Sequence, residues 1–190
     1  MSDKSVGRVK KNLRRIVFAK AAIHRAIEGC DYVIKNNLSS KSPMYYQLVT
    51  AIFVLYARPF GDNDGMGRIP PRFAKYDSAE KMNLHEMLVH GRNKFYAHVD
   101  ANSHLYDEKG QNPIGHLFRM NVIVDDMKDG TFDLRTSIIE PELTVETIPR
   151  IKPLAEDLLK TLCLEEKRLL EQLVEAGHQF TLGRNELSYE

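Results

Sequence analysis

Apolar residues recur at three- and four-residue spacing along two long stretches, and this periodicity constrains the fold more than any other feature. The first stretch runs from about Val6 to Ile34 and the second from about Val145 to Ala176. Such spacing places the apolar side chains on one face of an α-helix. The stripe of the first stretch comprises Val9, Leu13, Ile16, Ile23, Ile27, Cys30 and Ile34. The sequence therefore predicts a long amphipathic helix near each end of the chain.

A third helix is predicted after a loop of polar residues. Ser42-Pro43 is a typical helix start, with Ser42 as the cap and Pro43 in the first turn, where its missing N–H costs nothing. The following residues, up to Pro59, are apolar nearly all round. This pattern predicts the central and most buried helix of the bundle.

A fourth helix follows a loop rich in Gly, Asp and Pro. Asp77 and Glu80 predict its start as a capping-box-like pair, and the helical pattern continues to about His98. Gly91 lies on the apolar stripe of this helix, so we expect another helix to approach closely there.

The helical rhythm is interrupted by alternation with a period of two. Apolar residues recur at every second position over 118–124, where only Ile123 breaks the alternation with polar residues, and a similar alternation spans 132–138 with Thr136 as its exception; Asp129-Gly130 lies between them. Alternating segments joined by such a dipeptide predict a β-hairpin. We therefore expect one predominantly all-α domain over 1–177, a β-hairpin inserted at about 116–139 before the last long helix, and a C-terminal tail over 178–190.

The charge distribution favours a local rather than a global attraction to nucleic acid. The net charge is only +1, but residues 1–25 contain eight Lys or Arg and a single acid, Asp3. Such asymmetry is typical of a phosphate-facing surface or of a solvated helix face. The two cysteines make neither a disulfide framework nor a zinc set. With no signal-peptide pattern and no membrane span, we expect a cytoplasmic protein.

Polar side chains are concentrated in HGRNKFYAHVD, residues 90–100. A catalytic zinc site is disfavoured because His85 and His90 are five residues apart, about 140° around a helix, and there is no evident third ligand. A nucleophile triad is also disfavoured, because Ser78 has no recognisable elbow or base beside it. We expect neither a metal nor a cofactor.

The remaining interpretation is RNA cleavage through Arg92, Asn93 and His98. Arginine binds phosphate through its planar fork of donors, and histidine exchanges protons near neutral pH. Together these groups suit attack of a ribose 2′-hydroxyl on the adjacent phosphorus. The plainer alternative is a surface arginine together with a histidine at a helix end.

The segment RNKFYAH, from Arg92 to His98, resembles the RNxxxAH signature of the HEPN superfamily. An apolar helix ending in LYARPF, a Gly/Asp-rich loop and a helix ending in this motif resemble its abortive-infection branch, the AbiU-like proteins. Gly91 stands where that branch often has an apolar residue. The resemblance covers roughly Arg8 to Asp100 and the last long helix.

This resemblance implies a bundle of four to five helices that dimerises with its motif helices facing, so that two Arg–His pairs form one cleft. It further implies a metal-independent endoribonuclease of toxin–antitoxin or abortive-infection type. Arg92 would bind phosphate, Asn93 would orient the site and His98 would be the catalytic histidine. A homodimer, RNA and an antitoxin or regulatory protein are the implied partners.

Helix geometry adds a reason to expect a dimer. Six residues of a regular helix leave Arg92 and His98 about 120° apart, so either the helix ends near Tyr96 or the two side chains pair across a dimer. Two function classes remain: the endoribonuclease, and an inactive helical dimer that binds RNA or a partner protein. The residues assigned tentatively to RNA binding are Lys94, Tyr96, Lys10, Lys11, Arg14 and Arg15.

Overall fold

The computed structural model describes residues 3–39, 41–61, 67–92, 104–106, 113–116, 119–126, 132–139, 147–178 and 180. Within these residues the helices are α1 (Asp3–Lys35), α2 (Pro43–Ala57), α3 (Ala79–Gly91) and α4 (Ile148–Glu175). Short 3₁₀ turns occupy Arg58–Phe60 and Pro71–Ala74. The described part of the chain is mostly helical, which confirms the predicted helical class.

The first helix carries the predicted apolar stripe but begins earlier than expected, at Asp3. Most of the predicted stripe is buried, including Leu13, Ile16 and Ile23. At the C-terminal end the prediction is wrong, because Val33 is buried whereas Ile34 is 45% exposed. Apolar residues that repeat every seven positions drift around a helix of 3.6 residues per turn. Near the end of α1 the residue that meets the core is therefore Val33 and not Ile34.

The second helix differs from its prediction in two respects. It is buried on one face only, because Met44 is 55% exposed and Tyr46 is 48% exposed. Pro43 occupies the first turn as predicted, but the Ser42 side chain makes no capping hydrogen bond. The high hydropathy of α2 therefore overstates its burial. The helix α4 packs chiefly against α1 and contributes more fully buried leucines to the core than α2 does.

The third helix is capped by Ser78 rather than by the predicted Asp77. The Ser78 Oγ accepts a hydrogen bond of 3.2 Å from the backbone N–H of Lys81. Asp77 instead forms an ion pair with the Lys81 side chain, with 3.0 Å between Oδ1 and Nζ. Leu88 and Gly91 are buried, which confirms the predicted apolar stripe over the described part of α3.

The last helix begins at Ile148, with Pro149 in its first turn and Pro153 inside it. This start lies slightly later than predicted, in accord with the expected delay by the two prolines. Gly177 ends the segment with φ of +92°, a conformation that favours glycine, as predicted. Ion pairs link α4 to its neighbours, including Asp31–Lys152 at 2.5 Å and Lys81–Asp157 at 2.8 Å.

Among the described residues, four short strands lie between α3 and α4. β1 (His104–Tyr106) pairs antiparallel with β2 (Pro113–His116), and β3 (Arg119–Asp126) pairs antiparallel with β4 (Phe132–Ile139). The β1–β2 pair is absent from the sequence-based prediction. Residues 127–131, which contain the expected turn, lie outside the described residues, so the inserted hairpin remains a prediction.

None of the helices in the described ranges is long and apolar enough to cross a lipid bilayer.

Candidate functional site

Arg92 is the one motif residue within the described ranges, and it lies directly after α3. Its backbone is helical, with φ of −56° and ψ of −46°, and its N–H donates to the carbonyl oxygens of Leu88 and Val89. Asn93, Lys94, Tyr96 and His98 lie outside the described residues, as do the predicted helix end near Tyr96 and the proposed pairing of His98. The described backbone therefore shows that the first residue of the motif continues the helical backbone of α3.

The Arg92 guanidinium lies against the turn that follows α2. A methyl group on the α-carbon of Gly61 would lie 3.5 Å from Nη1 of Arg92 and 3.7 Å from the carbonyl oxygen of Arg58. The backbone N–H of Ile69 donates to the carbonyl oxygen of Pro59 at 2.9 Å. This bond joins the segment over 58–61 to the segment over 67–70, and these two hydrogen-bonded segments are hereafter the loop stem. Arg92 therefore borders the loop stem at Gly61.

A buried polar group lies two helical turns before Arg92, on nearly the same face of α3. His85 is only 8% exposed. Its Nδ1 lies 3.0 Å from the hydroxyl oxygen of Tyr56, which lies 2.8 Å from the hydroxyl oxygen of Tyr76. The Phe60 ring meets the imidazole edge to face, with 4.6 Å between centroids. His85 is therefore a buried residue of α3, whereas His90 is exposed.

Burial governs the protonation of this group. It lowers the pKa of His85 to about 4, because the imidazolium would lose its hydration among aromatic rings. Burial likewise raises the pKa of Tyr56 and of Tyr76 above the usual range for a phenol. At neutral pH His85 is therefore an uncharged hydrogen-bonding residue that joins α3 to α2.

The buried imidazole makes stability depend on pH. An unfolded chain binds a proton at a histidine pKa near ~6.5, whereas folded His85 does so only near pH 4. The free energy of unfolding should therefore fall by up to about 3 kcal/mol as the pH drops from ~6.5 to ~4, and then level off. Urea unfolding across this range, compared with His85→Gln, isolates the contribution. Parallel pH profiles of the two proteins would contradict the prediction.

The basic residues of α1 differ in how far they are exposed to solvent. Lys11 and Arg14 are exposed, whereas Lys10 and Arg15 are half-buried. Arg15 lies beside Gly67 on one segment of the loop stem, whereas Arg92 lies beside Gly61 on the other segment. A β-carbon at Gly67 would approach Nη2 of Arg15 to 2.9 Å, and φ of +67° there already favours glycine.

Another basic residue of α1 is engaged with the bundle. Lys20 forms an ion pair with Glu166 of α4, and this contact raises the Lys20 pKa. One residue of the N-terminal basic cluster thus holds two helices together, whereas the binding of phosphate by the others remains a prediction.

The two cysteines lie in contrasting surroundings. Cys30 is fully buried in α1, and burial raises the pKa of its thiol to about 12. Cys163 is an exposed residue of α4. Across the described ranges, no group of three or more His, Cys, Asp or Glu side chains is arranged to hold a metal ion.

Phe60, Gly61 and Arg58 also contribute to this region and are absent from the sequence-based prediction of the site. Their signal is the segment RPFG, residues 58–61, which follows an apolar helix and precedes a Gly/Asp-rich loop. Proline and glycine at such spacing indicate a tight turn, but only tertiary structure shows that this turn meets α3 beside Arg92.

Comparisons of the chain with protein-family models, with curated proteins and with solved structures find no match.

Proposed function

We propose that this protein is a metal-independent endoribonuclease of the HEPN type, which cleaves RNA through attack of a ribose 2′-hydroxyl. The proposal includes a HEPN-like bundle of four to five helices, with a β-hairpin inserted at about 116–139. It also includes a role as a defence or toxin effector in the cytoplasm, under the control of an antitoxin or another regulatory protein.

The position of Arg92 is the observation that carries this proposal. The residue begins the RNKFYAH motif, directly follows the helical stripe of α3 and extends its guanidinium to the Gly61 turn. An arginine held between a helix end and a loop stem is suited to bind a substrate phosphate, because its planar fork can present two donors at once. The helical class of the described residues is compatible with a HEPN bundle.

The proposed reaction divides its work among three side chains. His98 accepts the proton of the 2′-hydroxyl, whose oxygen forms a bond to the adjacent phosphorus. The bond from phosphorus to the 5′-oxygen breaks, and that oxygen receives a proton as it leaves. Arg92 offsets the negative charge that develops on the phosphoryl oxygens, and Asn93 fixes the position of the phosphate. The products are a 2′,3′-cyclic phosphate and a 5′-hydroxyl.

A homodimer completes the proposed cleft. A regular helix leaves Arg92 and His98 about 120° apart, so pairing across two facing motif helices brings complementary residues together. Gly91 is buried at the end of α3, where the lack of a side chain permits close packing. Lys94, Tyr96 and the basic residues Lys10, Lys11, Arg14 and Arg15 are the proposed RNA contacts around the cleft.

The function is tested by incubating pure protein with total RNA in EDTA, beside a His98→Ala variant. We expect fragments from the wild-type protein and essentially none from the variant, because the proposed reaction uses side chains for proton transfer. Intact RNA with both proteins, or cleavage that requires added Mg²⁺, would overturn the proposal. In the first case the binding-module alternative takes its place, and RNA retention measured in the same samples would support it.

A further inference from the structure

An open recess lies on the surface between α1 and the loop stem. Its α1 wall carries an aromatic ring and a guanidinium, and its other wall is formed by the residues that flank the loop. The lining residues include Arg15, Phe18, Arg58, Pro59, Gly67 and Ile69. The recess therefore combines a largely apolar surface with two cationic side chains from different elements.

The aromatic side chain in this recess is accessible to solvent, although the helix that carries it packs against the core. Phe18 is 48% exposed, whereas the next residue, Ala19, is 3% exposed. Pro59 and Ile69, on the opposite wall, are largely buried and are held together by the hydrogen bond that closes the loop stem. The recess thus combines an accessible aromatic side chain on α1 with two backbone segments that are hydrogen-bonded to each other.

Charge in the recess favours an anionic ligand. Arg15 belongs to α1, and Arg58 begins the turn after α2, so two separate elements each contribute an arginine to the lining of one recess. Each guanidinium can form paired hydrogen bonds with a phosphate. Aromatic stacking together with arginine–phosphate contacts is the combination that binds single-stranded nucleic acid.

We propose that this recess binds one nucleotide of a single-stranded RNA, with the base stacked on Phe18 and its phosphate held by Arg15 and Arg58. The choice of RNA as the ligand rests on the proposed function. A β-carbon at Gly61 would lie 3.7 Å from the carbonyl oxygen of Arg58 and 3.5 Å from Nη1 of Arg92, so the recess that Arg58 lines is close to Arg92 and to the phosphate that Arg92 is proposed to hold. The recess is a binding subsite and takes no part in bond breaking.

Two other uses of the recess are separated by the test. Asp62 and Asp64 follow Gly61 in the sequence, outside the described residues, and their carboxylates are candidate partners for the arginines. A second copy of this chain is another candidate occupant, because Phe18 and Val17 are both exposed apolar residues. Each alternative predicts a different response to substitution.

The experiment measures binding of a fluorescent, fully 2′-O-methylated single-stranded oligonucleotide to the full chain in EDTA. This probe lacks the attacking hydroxyl, so binding is recorded without cleavage. Phe18→Ala should weaken binding roughly tenfold, because one stacking contact is lost. Phe18→Tyr should restore the affinity, and Val17→Ala, at an equally exposed neighbour, should bind like the wild type. With a duplex probe, whose bases are already stacked on one another, Phe18→Ala should weaken binding much less.

Salt dependence separates the arginine contacts from stacking. Arg15→Gln and Arg58→Gln should each reduce the slope of log affinity against log salt by about 0.7, the value for one phosphate contact on a single strand. Phe18→Ala should leave the slope unchanged. Lys35→Gln, at the opposite end of α1, is the charge control and should leave both affinity and slope near those of the wild type.

Three outcomes would overturn the inference: wild-type affinity in Phe18→Ala, unchanged slopes in both arginine variants, or conversion of a dimer to a monomer by Phe18→Ala in sedimentation. The second outcome would indicate that the arginines serve the protein's own carboxylates, and the third that a second copy occupies the recess. Cleavage of ordinary RNA by the wild-type protein is scored separately. The subsite can therefore fail while His98-dependent cleavage persists, and Phe18-dependent binding can persist in a protein that cuts nothing.

Discussion

Replacing His98 by alanine is expected to slow single-turnover RNA cleavage by ~10²–10⁴-fold, the usual effect of losing a general acid–base group. His90→Ala is the matched control, because His90 is an exposed histidine of the same segment, at the end of α3. That variant should cleave at the wild-type rate. Equal rates for His98→Ala and wild type would show that the proton transfer is carried by another group.

The arginine of the motif should be sensitive to a change that preserves its charge. Arg92→Lys keeps a cation after α3 but loses the planar fork, so we expect a clear loss of rate under the same conditions. Gly61→Ala tests the surroundings of Arg92 instead, because the added methyl would meet Nη1 at 3.5 Å, an ordinary contact. It should be tolerated. Wild-type activity in Arg92→Lys would indicate that charge alone suffices.

The second large effect concerns stability. Leu158 is 1% exposed and lies in the core that α4 shares with its neighbours. Leu158→Ala should reduce the free energy of unfolding by ~2–5 kcal/mol, because it removes buried apolar atoms and leaves a cavity. Leu164→Ala is the control on the same helix, since Leu164 is 71% exposed. Denaturant unfolding of the two variants and the wild type, measured at two protein concentrations, makes the comparison.

Similar losses of stability in Leu158→Ala and Leu164→Ala would contradict the assigned core face of α4. A selective loss in Leu164→Ala that depends on protein concentration would instead place that leucine at a contact between two copies of the chain.

Helix positions follow from local sequence to a useful degree because apolar spacing and helix caps are local properties. Most of the α1 stripe and the end at Gly177 are predicted correctly. Ile34 and the all-round burial of α2 are not, because burial depends on which neighbours cover each face. Asp77 and Ser78 are both good capping residues, and only the backbone geometry selects Ser78.

The surroundings of Arg92 are less accessible to sequence reasoning, because they join residues far apart in the chain. The motif identifies Arg92, but no local pattern brings Gly61 to its guanidinium. Nor does one show that His85 is buried against Tyr56 and Phe60. These contacts depend on the packing of α2 against α3. Sequence spacing does, however, predict that Gly91 is buried.

The most direct test of the proposed chemistry uses oligonucleotides of mixed sequence in which one ribose keeps its free 2′-hydroxyl and all the others are 2′-O-methylated. In EDTA, wild-type protein should cut only on the 3′ side of that ribose, because only there is an attacking hydroxyl present. The products should carry a 2′,3′-cyclic phosphate and a 5′-hydroxyl. Cleavage at the 2′-O-methylated positions, or products with a 5′-phosphate, would contradict attack by the 2′-hydroxyl.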